Sequence, residues 1–307
     1  VLEEKFHVTI SRGFGQRLDV FLTANLAELT RSQAQKLIAE QKVRVNGTWS
    51  KAAHKLRLGD IVEVKISKEE KTTLQPEDIP LDVLYSDEHI IVINKPAGLV
   101  VHPGAGVTQG TLVNALLYHF PGIGRIGHPE RPGIVHRLDK ETSGVMVVAR
   151  SEKAYFELKR QFKAREVEKI YLGLVWGQIQ TMEGKIDWAI GRHPRYRQRI
   201  SIRTKKPREA LTYYTVKKAL EDFTLLEIKP VTGRTHQIRV HFAAAGHPIV
   251  GDSRYGGRDK AGKYTRLFLH AWHLVLAHPA TRILAEFYAP LPPEFQEIIR
   301  SKQSPPD

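Results

Sequence analysis

From residue 79 to near the end of the chain, strand and helix signals follow one another irregularly, and strands that are not each followed by a helix argue against a doubly wound parallel sheet. Residues 81–85 and 90–94 read as strands on either side of Ser86-Asp87-Glu88-His89, with Lys95-Pro96-Ala97-Gly98 breaking the second. Residues 111–119 have helical spacing through Leu112, Ala115, Leu116 and His119, and residues 144–149 form an uninterrupted apolar strand. Ser151 is placed to N-cap a helix that buries Ala154, Leu158 and Phe162, and Ile170, Leu172, Leu174 and Trp176 alternate along a further strand. The fold expected for residues 79–303 is α+β, built on a mixed and largely antiparallel sheet.

Ahead of it, residues 1–67 read as a small unit whose folded part begins near residue 11. Thr30-x-x-Gln33 is a capping box that opens a helix reaching about Glu40, with Leu37 and Ile38 available for burial and Arg31, Gln35 and Lys36 projecting from the other side. Val43-Arg44-Val45 followed by Asn46-Gly47 predicts a strand entering a tight turn, and Val62, Val64 and Ile66 alternate with Glu63 and Lys65 along another strand. Together with Arg17-Leu18-Asp19 and Leu58-Gly59-Asp60, these motifs resemble the alpha-L RNA-binding module of a small-subunit ribosomal protein, a small α+β domain of two helices on a sheet. Residues 68–78 are polar and aperiodic and read as a linker; residues 304–307 are a short tail.

Charge narrows the partner. With 47 Lys+Arg against 33 Asp+Glu the net charge is +14, which favours a polyanion. No long apolar run or lipid-facing amphipathic helix supports a membrane surface, and the chain starts at Val1 without the apolar core of a signal peptide, so a cytoplasmic location is expected. The absence of cysteine excludes disulfides, thiolate catalysis and iron–sulfur clusters. Nucleotide chemistry finds no support either. No Gly-Lys-Ser or Gly-Lys-Thr follows a glycine-rich loop, Gly104-x-Gly106-x-x-x-Gly110 misses dinucleotide spacing by one residue, and His136-Arg137-Leu138-Asp139 lacks the other parts of a kinase. The histidine pairs His236/His241 and His270/His273 have no third ligand at an obvious spacing, so no metal and no cofactor are expected.

Three segments are candidates for chemistry. In the first, residues 133–144, polar residues of several kinds crowd ahead of a buried strand, where a rigid scaffold can hold a catalytic loop. In the second, Tyr171 faces away from Ile170, Leu172 and Leu174 beside Gly173. In the third, Arg234 precedes a helix with apolar Ile238, Phe242 and Ala245, placed to meet a phosphate or a carboxylate.

His136-Arg137-Leu138-Asp139, the tyrosine strand and Gly233-Arg234-Thr235-His236-Gln237-Ile238-Arg239 occur in this order, accompanied by Asn94-Lys95-Pro96-x-Gly98, Val101-His102-Pro103 and Leu269-His270-Ala271. With these motifs the chain resembles the Rlu-type pseudouridine synthase family over nearly the whole of residues 79–300. The appended alpha-L module resembles the subgroup acting on large-subunit ribosomal RNA.

The resemblance implies an enzyme that detaches uracil from C1′ of its ribose, rotates it and rejoins it through C5. Asp139 matches the family's indispensable aspartate, acting as nucleophile or as a base on the sugar. Either role needs an ionised carboxylate, which pairing with Arg234 would favour. Tyr171 matches the tyrosine that stacks on the base and helps to remove the C5 proton, and Leu269 lines the base pocket. A stacked or paired target must first be extruded, and Arg137 resembles the arginine that fills the vacated position. His136 is a further substrate contact. The basic stretch containing Arg195, Arg197 and Arg199 is expected to clasp phosphates, with Tyr196 able to stack, and Arg31 and Lys36 to contact RNA from the small unit. The expected partner is structured RNA, large-subunit ribosomal RNA or its precursor particle, and the enzyme is expected to act as a monomer. Two rivals remain at this point: an RNA-binding assembly factor that has kept the fold, and an RNA methyltransferase, which the missing glycine-rich cofactor loop disfavours.

Overall fold

A computed structural model describes residues 2–10, 15–26, 31–68, 74–104, 106–196, 198–256, 264 and 266–301. The chain divides into two units, Val1–Thr73 and Leu74–Asp307.

In the first unit, β1 (Leu2–Thr9), α1 (Leu18–Asn25), α2 (Arg31–Ala39), β2 (Val43–Val45), β3 (Thr48–Trp49) and β4 (Ile61–Lys68) form two helices on an antiparallel sheet of order β1-β4-β2-β3. Leu18, Phe21 and Leu22 of α1 repeat at three- and four-residue spacing, and they bury against Ala34 and Ile38 of α2 and Val43, Val45, Leu56, Val62 and Val64. The β2–β3 turn has Asn46 and Gly47 both at positive φ, 51° and 76°, the left-handed pair that matches the twist of a two-residue hairpin. Asn46 also ties this turn to the next: its Nδ2 donates to Asp60 Oδ1 and its Oδ1 accepts from the Ile61 N–H, each at 2.8 Å. The capping residue expected at Thr30 lies outside the described residues.

In the second unit, β5 (Val83–Ser86) and β6 (Ile90–Lys95) lead to α3 (Leu112–His119), followed by β7 (Ser143–Ala149), α4 (Glu152–Ala164) and β8 (Glu168–Trp176). Next come β9 (Glu183–Ile186), the short hairpin β10 (Gly191–Arg192) and β11 (Ile200–Ser201), then β12 (Thr212–Ala219) and β13 (Phe223–Pro230). The chain ends with α5 (Gln237–Ala244), β14 (Leu269–Ala277), β15 (Leu284–Tyr288) and α6 (Pro293–Ser301). One sheet runs β5-β6-β7-β14-β8-β13-β12-β9, with β15 on β14. Every pairing in it is antiparallel except β7 with β14, so the sheet is mixed and largely antiparallel, as the strand order predicts.

β7 is buried at all seven positions, which explains its uninterrupted apolar sequence: Leu112, Val113 and Leu116 of α3 and Ala154, Tyr155 and Leu158 of α4 share its core cluster. Both helix starts follow local signals. The Thr111 hydroxyl accepts from the Asn114 N–H, and the Asn114 side chain accepts from the Thr111 N–H; Ser151 Oγ accepts from the Ala154 N–H. A second core gathers Ile238 and Phe242 of α5 against Val175, Leu226 and Ile228, and a third seats Phe295 and Ile298 of α6 against Leu174, Phe223 and Phe268. Of the expected linker, Lys68 closes β4, residues 69–73 lie outside the described residues, and Leu74 and Gln75 already contact the second unit, where Asn114 Nδ2 donates to the Gln75 carbonyl at 2.7 Å. The expected tail, residues 304–307, also lies outside. Among the described residues no helix is long and apolar enough to cross a membrane.

Candidate active site

The loop before β7 is pressed onto β14. Ser143 pairs with His270 and Gly144 with Ala271, and a Cβ at Gly144, whose φ is +121°, would fall on the Ala271 backbone, so only glycine fits. Beneath the loop lies Lys95, fully buried, whose ammonium donates to the carbonyls of Pro96, Leu99 and Lys140 at 2.8, 2.9 and 3.2 Å. Three protons meet three acceptors. Burial pulls this lysine down to about 7, while the charges of Asp139 and Glu141 pull the other way. The backbone of the Asp139–Lys140 step is thus held from inside the protein.

Asp139 opens into a cavity of about 480 Å³, within the range of small-ligand sites. His136, Arg137, Tyr171, Arg234 and Leu269 line it too, so residues from the three candidate segments and from β14 converge there. Arg195 and Arg199 are exposed on the β10–β11 hairpin, outside the cavity lining, and Arg31 and Lys36 are exposed on α2 of the first unit. Arg197 lies outside the described residues.

The arginine expected to meet the carboxylate is not the one that does. Arg234 Nε donates to the Glu209 carbonyl at 3.1 Å, whereas Arg239 Nη1 reaches Asp139 Oδ2 and Glu141 Oε2, each at 3.4 Å. The reason is the helix: α5 begins only at Gln237, so Arg239 falls in its first turn and points inward, 3% exposed, while Arg234 stays in the preceding loop. Gln237 fixes that loop, its Oε1 accepting from Thr232 Oγ1 and the Arg234 N–H, and its Nε2 donating to the Leu211 carbonyl and Thr212 Oγ1. Arg239 is held in turn by the buried Asp252, which accepts from its Nε at 2.8 Å and its Nη2 at 2.9 Å. Burial opposes the charge on Arg239, but Asp252, Asp139 and Glu141 outweigh it and raise its pKa; burial opposes the charge on Asp252 as well, and Arg239 outweighs it to lower that one.

Tyr171 is a neutral phenol, its pKa raised by burial and by the negative charge of Asp139. His136 is part of the wall: its ring stacks on Phe162 at 4.5 Å and its Nε2 accepts from the Val147 N–H at 3.0 Å. Burial, aided by Lys169, lowers it to about 3, so it is neutral. Arg137 is exposed at the rim, with Nη1 3.4 Å from His102 Nε2. The gap beside Gly173 is filled by Ile228 and Leu269. In the first unit, Arg31 and Gln35 turn toward the buried Asp19, at 3.2 and 2.8 Å, and with Arg17 hold its carboxyl well below the usual range; Lys36 is exposed, 3.6 Å from Glu40.

Sequence reasoning assigned no role to Lys95, Asp252 or Tyr255 and read Arg239 only as part of a motif. Lys95 was read only as part of the Asn94-Lys95-Pro96-x-Gly98 motif, at the end of an apolar strand. Nothing local marked Asp252.

A model of RNA pseudouridylate synthases matches residues 89–244, and one of the S4 domain matches residues 16–62. The chain belongs to the RNA pseudouridine synthase family. It is 46% identical to an uncharacterized RNA pseudouridine synthase of Aquifex aeolicus, over 93% of both chains. It is 42% identical to ribosomal large subunit pseudouridine synthase D of Escherichia coli O6:H1, over 93% of this chain and 90% of the relative. Among solved structures, human RNA pseudouridylate synthase domain containing 1 superposes with a TM-score of 0.59 at 30% identity, covering 75% of this chain and 98% of that one. The unit Leu74–Asp307 is therefore a pseudouridine synthase catalytic unit, and the unit ahead of it carries an RNA-binding S4 domain.

Proposed function

We propose that this pseudouridine synthase isomerises uridines of structured large-subunit ribosomal RNA, with Asp139 as its catalytic residue. The observation that carries the reading is the Asp139 carboxylate, opening into a cavity of nucleoside size and backed by the Arg239–Asp252 pair. The relatives named as acting on the large ribosomal subunit support the substrate class. The reaction breaks the N1–C1′ bond and forms C5–C1′, moving one proton from C5 to N1 with no net change of oxidation state. Asp139 acts on the sugar, at C1′ as nucleophile or at C2′ as base, and Arg239, with Nη1 3.4 Å from its Oδ2, holds the carboxylate in place beside the cavity. Tyr171, holding its proton, is better suited to pack against the uracil ring than to take the C5 proton, and Leu269 completes that wall.

A uridine inside a helix or stacked loop reaches this cavity only by extrusion, which costs a few kcal/mol. Arg137 at the rim is free of the catalytic network and suits the vacated stack. Phosphates on either side would meet the cationic lining, Lys163, Arg165, Lys169 and Arg234, and beyond it the hairpin arginines Arg195 and Arg199. The test is pseudouridine mapping on large-subunit ribosomal RNA incubated with the enzyme or with Asp139→Asn. The wild type should introduce pseudouridine at defined positions. The variant should introduce none while binding RNA within about threefold of wild type, because the change removes charge but little volume. Turnover by the variant near the wild-type rate would refute the assignment.

A further inference from the structure

The turn that supplies Asp252 has a second connection, to the arginine hairpin. Asp252 Oδ1 accepts from the backbone N–H groups of Arg254 and Tyr255 at 2.9 and 3.0 Å, so the carboxylate that grips Arg239 also shapes the turn. From that turn Arg254 Nη1 donates to the Gln198 carbonyl at 3.1 Å, and the Tyr255 hydroxyl accepts from the Ile200 N–H at 3.0 Å. Gln198 and Ile200 belong to the hairpin segment that carries Arg195, Tyr196 and Arg199.

On its other side the Tyr255 hydroxyl lies 2.8 Å from His236 Nδ1, and the tyrosine ring packs edge-on against the His236 ring and under the Arg239 guanidinium at 5.4 Å. The proton inventory then sets the tautomer. Tyr255 already accepts from Ile200 and keeps its own proton, its pKa being raised by burial; that proton has His236 Nδ1 as its acceptor. His236 is kept neutral mainly by burial, with Arg239 and Arg254 acting in the same sense and Asp139 and Asp252 against it. With the Tyr255 hydroxyl donating to Nδ1, the single ring proton of His236 falls on Nε2, the nitrogen 3.9 Å from Asp139 Oδ2. About 1 Å of ring movement would make that approach a hydrogen bond. His236 itself holds the left-handed backbone, φ 54°, at the start of α5, a conformation a non-glycine residue keeps only when its surroundings impose it.

We propose that Tyr255 is a positioning residue coupling the arginine hairpin to the catalytic carboxylate: its hydroxyl bridges the Ile200 N–H and His236 Nδ1, and so fixes the His236 tautomer that presents an N–H to Asp139. When the hairpin closes on RNA phosphates, the displacement of Ile200 is transmitted through Tyr255 to His236 and Asp139, so that the carboxylate is set once the substrate is in place. The proposal rests on Asp139 being the catalytic carboxylate.

The experiment uses the full-length protein, Tyr255→Phe, the hairpin variant Arg195→Ala/Arg199→Ala, and the two combined. Single-turnover rates on structured ribosomal RNA are measured at saturating enzyme, beside RNA affinities and melting temperatures. Tyr255→Phe keeps the ring and should slow turnover about tenfold with affinity within about threefold. The combined variant should be hardly slower than the hairpin variant, because both cut the same connection. Rates that multiply, a Tyr255→Phe rate within about twofold of wild type, or an affinity loss matching the rate loss would each overturn the coupling. If Tyr255→Phe does not fold, His236→Asn, which tolerates the left-handed backbone, cuts the chain one link further on and carries the same expectations. Nitrogen-15 NMR of labelled histidine gives a check independent of turnover. His236 should carry its proton on Nε2 in the wild type, and a proton on Nδ1 would refute the proposal. Wild-type turnover on the same RNA tests the activity itself, so failure of the coupling and failure of the activity are told apart.

Discussion

Acidification should destabilise the catalytic unit by an amount set by two buried histidines, His136 and His270. His136 is lowered by burial and Lys169 to about 3, and His270 by burial and Arg266 to about 4, against an ordinary value of 6.5. In the unfolded chain both titrate near that ordinary value, so between it and the folded values the unfolded state binds more protons than the native one. Stability therefore rises with pH across this window and is lost as pH falls through the unfolded value. At about pH 5 each histidine withholds protonation by roughly one and a half pH units, which costs about 2 kcal/mol per histidine relative to neutral pH. Replacing His136 with Gln, which can still accept from the Val147 N–H but does not titrate, should remove about half of the loss due to the pair. Urea unfolding at about pH 7.5 and about pH 5, followed by tryptophan fluorescence, measures it, since Trp176, Trp188 and Trp272 all belong to the catalytic unit. If wild type and His136→Gln lose the same stability between the two pH values, His136 takes up its proton in the native protein and burial does not keep it neutral.

Asp252→Asn should lower catalytic-unit stability by roughly 3 kcal/mol, since it leaves the buried Arg239 short of a counter-charge, and calorimetry should show a melting temperature about 10 °C lower. Arg234→Ala should change stability by less than about 0.5 kcal/mol, because that arginine lies in a loop on a backbone carbonyl, and equal losses for the two variants would contradict the pairing seen here. Arg137→Ala should slow isomerisation of a uridine in a paired or stacked loop far more than of the same uridine in a short unstructured oligonucleotide, since unstacking costs a few kcal/mol only in structured RNA. Equal losses in single-turnover rates would reject the extrusion role. Deleting residues 1–67 should weaken RNA binding and flatten the slope of log affinity against log salt, as fewer phosphates are neutralised; an unchanged slope would show that the S4 domain does not touch RNA.

Sequence alone determined what depends on near neighbours. The six-residue apolar run of β7, residues 144–149, the serine cap of α4 and the Asn-Gly turn after β2 each have their physical cause within a few residues, and each forms as read; the alternation expected along β8 does not, since Gly173, Leu174 and Val175 are buried in succession on a strand covered on both faces. The mixed sheet was legible for a related reason, since its strands carry clear local patterns, whereas the meeting of Asp139, Tyr171 and Leu269 at one cavity was implied only by the family resemblance. Tertiary structure alone decided which arginine meets Asp139. Arg234 and Arg239 belong to one motif, and the choice turns on where α5 begins and on Asp252, which comes from a turn beyond that helix. The place of Lys95 beneath the catalytic loop, and the path from Ile200 through Tyr255 to His236, likewise join residues far apart in the chain. The sheet order is of the same kind: β14, the penultimate strand, inserts between β7 and β8 and brings Ala271 against Gly144, an arrangement that arises from packing the whole sheet rather than from any single segment.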